Sequence, residues 1–261
     1  MGTIAKALNL LNFFSENAPE LGLMDFKNLS GQDKATVYRH LTELEANGFL
    51  EQNEKTRKYR LGAAIVRLSS IRERSFPTRR IVSEWIDRLA EEVQELVHAS
   101  LIQRLEMSPL YFCDKSRGAT RVNFSEAEML PLHATASGLA ALAFGPPSLL
   151  EKLSNKHLAK YSNSTPTNFD TLKTIVGEVH EKGFSFSNQS YEEDVCSFGV
   201  PFFEAGPYAC GTIAIAIPAT RLDSSKAPFY TKKLWEASKA VSRELGGNIP
   251  EKLENKWRQA A

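Results

Sequence analysis

The sequence predicts an α+β protein in two parts: an N-terminal unit of three helices and a short hairpin, then a larger unit built on an antiparallel sheet. Three observations carry this. Helical periodicity dominates the first 48 residues, a polar hairpin follows at residues 49–61, and beyond Pro77 helices alternate with β-type runs joined as hairpins.

The first helix is placed at Ile4 to Glu16, with Ile4, Leu8, Leu11 and Phe14 on one face to close a three-helix core. The second, Gly22 to Leu29, carries Leu23, Phe26 and Leu29 at near-helical spacing, and Ser30 and Gly31 supply a tight turn. The third runs from Asp33 to Gly48. Val37, Leu41 and Leu44 recur at i, i+4 and i+7 on its packing face, whereas Ala35, Arg39, Thr42 and Ala46 fall on the other, which is small and polar. A helix that reads base edges in a groove needs that division, because bulky apolar groups on the outer face block approach. Two helices joined by a short glycine-containing turn form a helix-turn-helix. Phe49 with Leu50, and Lys58 to Leu61, read as two strands around a polar tip from Asn53 to Arg57, the wing of a winged helix. Candidate DNA contacts are therefore Lys34, Ala35, Thr36, Tyr38, Arg39 and Thr42 on the third helix and Lys55, Arg57 and Lys58 on the wing. Tyr38 suits stacking on a sugar or bonding a phosphate, although a flanking aromatic is as often packing. His40 reads as an edge-of-core residue.

Net charge does not carry the DNA reading. Residues 1–62 hold eight basic and eight acidic side chains, but the basic ones gather in the wing and around the third helix, and local clusters govern phosphate affinity. Arg67, Arg72, Arg74, Arg79 and Arg80 follow with only Glu73 opposing them. The whole chain of 261 residues has a net charge of +1 with 42% hydrophobic and 24% charged residues, the composition of an ordinary globular protein and not of a disordered or membrane one. The run from Ile4 to Phe14 is interrupted by Lys6, Asn9 and Asn12 and lacks a small-residue cleavage site, so it is not a secretion signal; a cytoplasmic location is expected. Cys113, Cys196 and Cys210 form an odd, widely spaced set without a CxxC pair, which argues against a disulfide framework or a zinc ribbon. No metal or cofactor is expected. His133 reads as a structural histidine bonding a loop.

A connecting helix is placed from Ala63 to about Phe76, with Ile65, Leu68 and Ile71 in register and Pro77 as its stop. A long helix follows, carrying Ile81, Trp85, Leu89 and Val93 and ending near Val97. Strands are placed at Ala99–Gln103 and Leu110–Asp114. The segment from Pro131 to Phe144 is a loop feeding a small-residue helix, and Tyr161 to Asn168 is a polar loop. A helix from Phe169 to Lys182 is closed by Gly183. A strand at Phe184–Ser187 precedes a hairpin of Ser197–Phe203 and Ala209–Ile217, and a helix from Pro228 to Leu245 closes the chain.

Taken together, the winged helix, the Arg60–Leu61–Gly62 exit, the run from Leu132 to Gly138, and Gly183–Phe184–Ser185–Phe186 followed by Tyr191–Glu192–Glu193 and Val200–Pro201 resemble the IclR family of bacterial transcriptional regulators. The resemblance spans essentially the whole chain. It implies a winged helix-turn-helix DNA-binding domain at residues 1–62, a connecting helix at 63–77 and a GAF-like effector-binding domain at 78–261. The implied partners are double-stranded operator DNA, a small-molecule effector and further copies of the chain, as a homodimer or a tetramer. Carried over from the family, the effector-binding positions are Ala136, Ser137, Ser187, Ser197, Ala214 and Ala216. Ser137 lies at a helix start, where free N–H groups attract anions, and the serine hydroxyls can orient a polar ligand; Ala136, Ala214 and Ala216 read equally as tight packing. Many members carry acidic residues where this chain has Ser187 to Ser190, and a glycine, an arginine and a cysteine where it has Asp194, Cys196 and Ser197. These departures lead us to expect a more neutral pocket. The resulting expectation is a regulator, not an enzyme, responding to a carboxylate or carbonyl compound. Two alternatives stay open: a cysteine-based redox sensor, and a small-molecule enzyme with an appended helical domain using Cys196 as nucleophile, although no GxSxG or HExxH motif is present.

Overall fold

The computed structural model describes residues 2–15, 17–126 and 128–259. Its chain divides into two compact units, Met1–Pro77 and Thr78–Ala261.

In the first unit, α1 (Thr3–Asn9) runs into a 3-10 turn (Leu10–Phe13), followed by α2 (Leu23–Ser30), α3 (Lys34–Ala46), β1 (Leu50–Gln52), β2 (Tyr59–Leu61) and α4 (Ala63–Ser75). Gly31 at φ 65° makes the turn between α2 and α3, and Asp33 caps α3 by accepting the Thr36 N–H at 2.9 Å. Gly48 at φ 73° releases the chain into β1. The core joins Leu10, Phe14, Leu21, Phe26, Val37, Leu41, Leu44, Leu50 and Tyr59. The first helix differs from expectation: Ile4 and Leu8 are exposed, because the 3-10 turn rotates the chain so that Leu10 and Phe14 face inward. The expected helix end at Glu16 lies outside the described residues. Leu29 is exposed too, leaving Phe26 as the buried anchor of α2. Leu21 exchanges two backbone hydrogen bonds with Tyr59, adding a third short strand segment to the hairpin.

The second unit is three-layered. Its sheet has the order β5 (Leu130–Pro131), β4 (Glu106–Asp114), β3 (Leu96–Gln103), β8 (Ala209–Pro218), β7 (Val195–Phe203), β6 (Ser185–Asn188), with every neighbouring pair antiparallel. One face packs on α5 (Thr78–Val93) and α9 (Ala227–Glu244) through Val82, Ile86, Phe202 and Leu234. The other is covered by α6 (Ala136–Phe144) and α8 (Phe169–Lys182), whose Leu139, Leu142, Leu172 and Val176 share a second core. Two further helices, α7 (Ser148–Leu153) and α10 (Glu251–Gln259), complete the unit among the described residues.

Helix α5 stops at Val93, not near Val97, because Gln94 turns the chain at φ 55° and Leu96 to Ala99 pair with Ala216 to Ile213 of β8. Its buried stripe is Val82, Ile86, Leu89 and Val93; Ile81 and Trp85 are half-buried, and the Trp85 indole donates to Glu244 at 3.0 Å. Strand β4 begins at Glu106, four residues before the expected start, since Pro109, opposite Ser100, sits beside a register shift that leaves Leu110 unpaired and masks the alternation.

Candidate DNA interface and ligand cavity

On α3, Lys34, Ala35, Tyr38, Arg39 and Thr42 are exposed and Thr36 is half-buried, while Val37, His40, Leu41 and Leu44 are buried. The Thr42 hydroxyl donates to the Tyr38 carbonyl at 3.0 Å, so it presents only its lone pairs outward. The wing tip is an Asx turn: the Asn53 carboxamide oxygen accepts the Lys55 and Thr56 N–H groups at 3.0 and 3.1 Å, and the Arg57 N–H closes onto the Asn53 carbonyl at 2.8 Å. Arg57 sits at φ 58°, in the left-handed region. Lys55, Arg57 and Lys58 are all exposed, and Tyr38, Gln52, Thr56, Arg57 and Lys58 border one groove. Among the described residues none of Lys34, Arg39, Lys55, Arg57 and Lys58 is held in an ion pair, so their charges are available to phosphates. Arg60 differs: Glu51 holds it at 2.9 Å, and the same carboxylate accepts the Ala63 N–H at the start of α4. His40 is only 3% exposed and neither ring nitrogen has a partner among the described residues; burial, with Arg39 and Lys6 nearby, lowers its pKa below the ordinary 6.5.

The start of α6 is stitched to β6 and β7. Thr135 caps the helix by accepting the Gly138 N–H at 3.0 Å while its own hydroxyl donates to the Pro131 carbonyl at 2.9 Å. The Ser185 hydroxyl donates to the Ala136 carbonyl at 2.6 Å, and the Ser187 hydroxyl to the Ala134 carbonyl at 3.1 Å. Two glycines permit the approach. A Cβ on Gly138 would sit 2.4 Å from the Leu132 backbone, and one on Gly199 would sit 2.9 Å from the Ala136 carbonyl oxygen. The helix end then opens onto a cavity of about 60 Å³ lined by Ala136, Ser137, Ser187, Ser197 and Ala216, and also by His98, Phe124, Leu130, Glu128, Tyr191 and Glu192. Ala214 is not on that wall; it pairs with Gly199 and His98 within the sheet. A wider cleft of about 590 Å³ along Ile175, Glu178, Phe186 and Leu222 touches none of the six expected effector positions.

Within the cavity, Ser137 is 1% exposed and its hydroxyl has no partner among the described residues. Thr135 satisfies only the Gly138 amide, so the Ala136 and Ser137 amides at the helix start have no intrahelical acceptor. The serine at 187, by contrast, already donates to the backbone and offers a ligand only lone pairs. His98 is buried and its pKa falls to about 3 through desolvation, so it is a neutral imidazole, with its ring 4.4 Å from Phe124. The expectation of a more neutral pocket is overturned by Glu128 and Glu192. The Tyr191 hydroxyl donates to Glu128 at 2.7 Å, and burial, with Asp194 and Glu128 beside it, raises the Glu192 pKa. The polar loop fixes this segment: Ser162 and Thr165 each donate to a backbone carbonyl, of Gln189 and Ser190, at 2.6 Å. Tyr191 and Glu192 stood in the sequence as family marks without an assigned role, whereas Phe124 and Glu128 come from an irregular stretch with no periodicity to reveal it.

The other sequence candidates fall outside the cavity. Cys196 is buried with its thiol donating to Asn188 at 3.2 Å, and burial raises its pKa; burial likewise pushes Cys113 up to about 11 and Cys210 to about 12. Protonated thiols are poor nucleophiles and poor redox sensors. His133 bonds the Ala159 carbonyl at 2.9 Å. Among the described residues no cluster of three or more His, Cys, Asp or Glu could hold a metal ion, and no helix is long and apolar enough to cross a membrane.

Residues 3–54 match the IclR helix-turn-helix domain, and residues 74–243 match the C-terminal domain of the bacterial transcriptional regulator IclR. The chain belongs to the IclR family. This family consists of DNA-binding transcriptional regulators, not enzymes. Among similar members, an IclR transcriptional regulator of Silicibacter sp. TM1040 has a crystal structure with 36% identity and a TM-score of 0.87, covering 96% of this chain and 98% of that one. The HTH-type transcriptional regulator XynR of Escherichia coli is 25% identical, over 94% of this chain and 97% of its own length. An IclR homologue of Microbacterium hydrocarbonoxydans, solved with 4-hydroxybenzoate, shares the fold at 20% identity and a TM-score of 0.76, covering 94% and 99%. As an IclR-family regulator, the protein has its helix-turn-helix on α2 and α3 and its α+β domain around the curled antiparallel sheet.

Proposed function

We propose that this IclR-family regulator represses or activates transcription in response to a small metabolite bearing a carboxylate or a related carbonyl group. In this regulator residues 1–62 form the DNA-binding domain, 63–77 a connecting helix and 78–261 the effector domain. Operator contacts fall to Lys34, Ala35, Thr36, Tyr38, Arg39 and Thr42 on α3 and to Lys55, Arg57 and Lys58 on the wing. The effector binds at the start of α6 against Ala136, Ser137, Ser187, Ser197 and Ala216, while Ala214, off the cavity wall, pairs within the sheet. The single observation that carries the effector site is the buried Ser137 hydroxyl, unpartnered among the described residues, beside free helix-start amides at a cavity wall, an arrangement that attracts a carboxylate or carbonyl oxygen. The homologue bound to 4-hydroxybenzoate supports a small organic ligand in this family.

The regulator works as a homodimer. One α3 reads only a few base pairs, and two related by symmetry read a palindrome. Ile4 and Leu8 of α1 and Val66, Leu68 and Ile71 of α4 stand exposed in the isolated chain, with Ile4 at 77%, and pairing of two copies would cover them. The test is a binding selection on random duplexes with and without a thermal-shift panel of small carboxylates, aldehydes and aromatic acids. A near-palindromic site whose affinity changes with a stabilising compound is the expected result; absence of any sequence preference in either condition defeats the reading.

A further inference from the structure

The cavity beside α6 is two-faced in charge. At the helix start the amides of Ala136 and Ser137 and the unpartnered Ser137 hydroxyl form an electropositive corner. Elsewhere on the same wall stand Glu128 and Glu192, whose carboxylates repel each other and have no ion-pair partner among the described residues. No described lysine or arginine lines the cavity. The neighbouring acid, Glu126, is different, being paired with Arg79 at 3.2 Å. Tyr191 gives Glu128 one hydrogen bond but no countercharge. Glu192 is half-buried and Glu128 stands exposed at the rim beside it, and a half-buried carboxylate next to a second acid is relieved by a positive charge, which a ligand can bring. The aromatic residues Phe124 and Tyr191 stand on the same wall.

Resting on the effector reading above, we infer that the ligand is a small zwitterion, an α-amino acid or betaine-like compound whose carboxylate meets the α6 start and whose ammonium group meets Glu128 and Glu192. A plain carboxylate of the same size satisfies the helix end but brings its negative charge into a cavity with two acids. A plain amine satisfies the acids and leaves the Ser137 hydroxyl and the helix amides bare. Only a molecule with both groups answers both ends, and the neutral imidazole of His98 adds no charge of its own.

Matched compounds decide this on the full-length protein by calorimetry and thermal shift: the common L-amino acids, γ-aminobutyrate and glycine betaine, each against its counterpart lacking the ammonium group and the corresponding simple amine. At least one zwitterion should bind tighter than its deaminated counterpart by about tenfold or more, equivalent to about 1.4 kcal/mol. Glu192→Gln and Glu128→Gln should each shrink that preference while operator binding stays as in the wild type. If a Gln variant fails to fold, the wild-type pairs still give the answer. A deaminated acid that binds as tightly as its zwitterion overturns this inference and leaves the effector site standing. Binding by no member of any pair, with operator binding intact, overturns it as well, together with the carboxylate reading.

Discussion

Arg39 projects from the exposed face of α3 with no ion pair to hold it among the described residues, which is the condition for a side chain that reads base edges. Arg39→Ala is expected to cost about 1–3 kcal/mol of operator binding and to relax preference at one position in each half-site. Arg57→Ala or Lys58→Ala should instead weaken all sequences alike and lower the salt slope by roughly one unit. Titrating affinity against salt on matched and scrambled duplexes separates the two; equal loss on both duplexes for Arg39→Ala would make it a phosphate contact. His98 gives a second residue-scale prediction. Its folded pKa of about 3 lies below the ordinary 6.5, so the unfolded chain binds the extra proton first. Its contribution to stability is complete above pH 6.5 and is lost as pH falls toward 3, at up to about 1.4 kcal/mol per pH unit. Denaturation of the wild type and His98→Phe between pH 7 and 4 should show a shallower acid loss in the variant. The cluster on α3 was legible because helical periodicity separates a packed face from a free one. Glu128 and Phe124 were not, because an irregular loop carries no pattern that says which side chains turn inward.

Elements were legible where periodicity was long and illegible where it was short or shared. The stretch from Leu96 to Ala99 is apolar enough for helix or strand, and only cross-strand pairing with β8 decides it. Helix α10 offers only Leu253 and Trp257 as apolar anchors in a nine-residue helix, too little for sequence alone. Yet its anchoring is firm. The Trp257 indole stacks on Trp235 with centroids 6.0 Å apart and donates to the Gly183 carbonyl at 2.8 Å, where Gly183 ends α8 at φ 78°. A Cβ on Gly183 would stand 2.9 Å from the indole nitrogen, so helix end and tryptophan fit only with glycine between them. Trp257→Ala should therefore destabilise the second unit by about 3–5 kcal/mol, seen as a lower denaturation midpoint. A loss below about 1 kcal/mol would mean that α10 is an ornament on the α8 end, not part of the core.

At the scale of the whole molecule, regulation requires that binding beside α6 and binding at α3 exchange free energy. Linkage makes that exchange reciprocal: a ligand that weakens operator binding by some factor must bind the operator complex more weakly by the same factor. Ala216 is 4% exposed and lines the cavity of about 60 Å³, so a larger side chain there enters that space. Ala216→Leu should fill it and abolish the ligand response while leaving ligand-free operator affinity within about twofold, or roughly 0.4 kcal/mol. Ser137→Ala removes one hydrogen-bond partner and should weaken the ligand by about 0.5–1.5 kcal/mol without abolishing the response. The pair is informative because the two changes act on one site by different means, volume and hydrogen bonding. Measuring operator affinity across a ligand titration, and ligand affinity with and without operator, gives four constants for each variant. In the wild type the two ratios must agree. A folded Ala216→Leu protein that still responds with unchanged ligand affinity would move the effector away from α6, even with the family assignment intact.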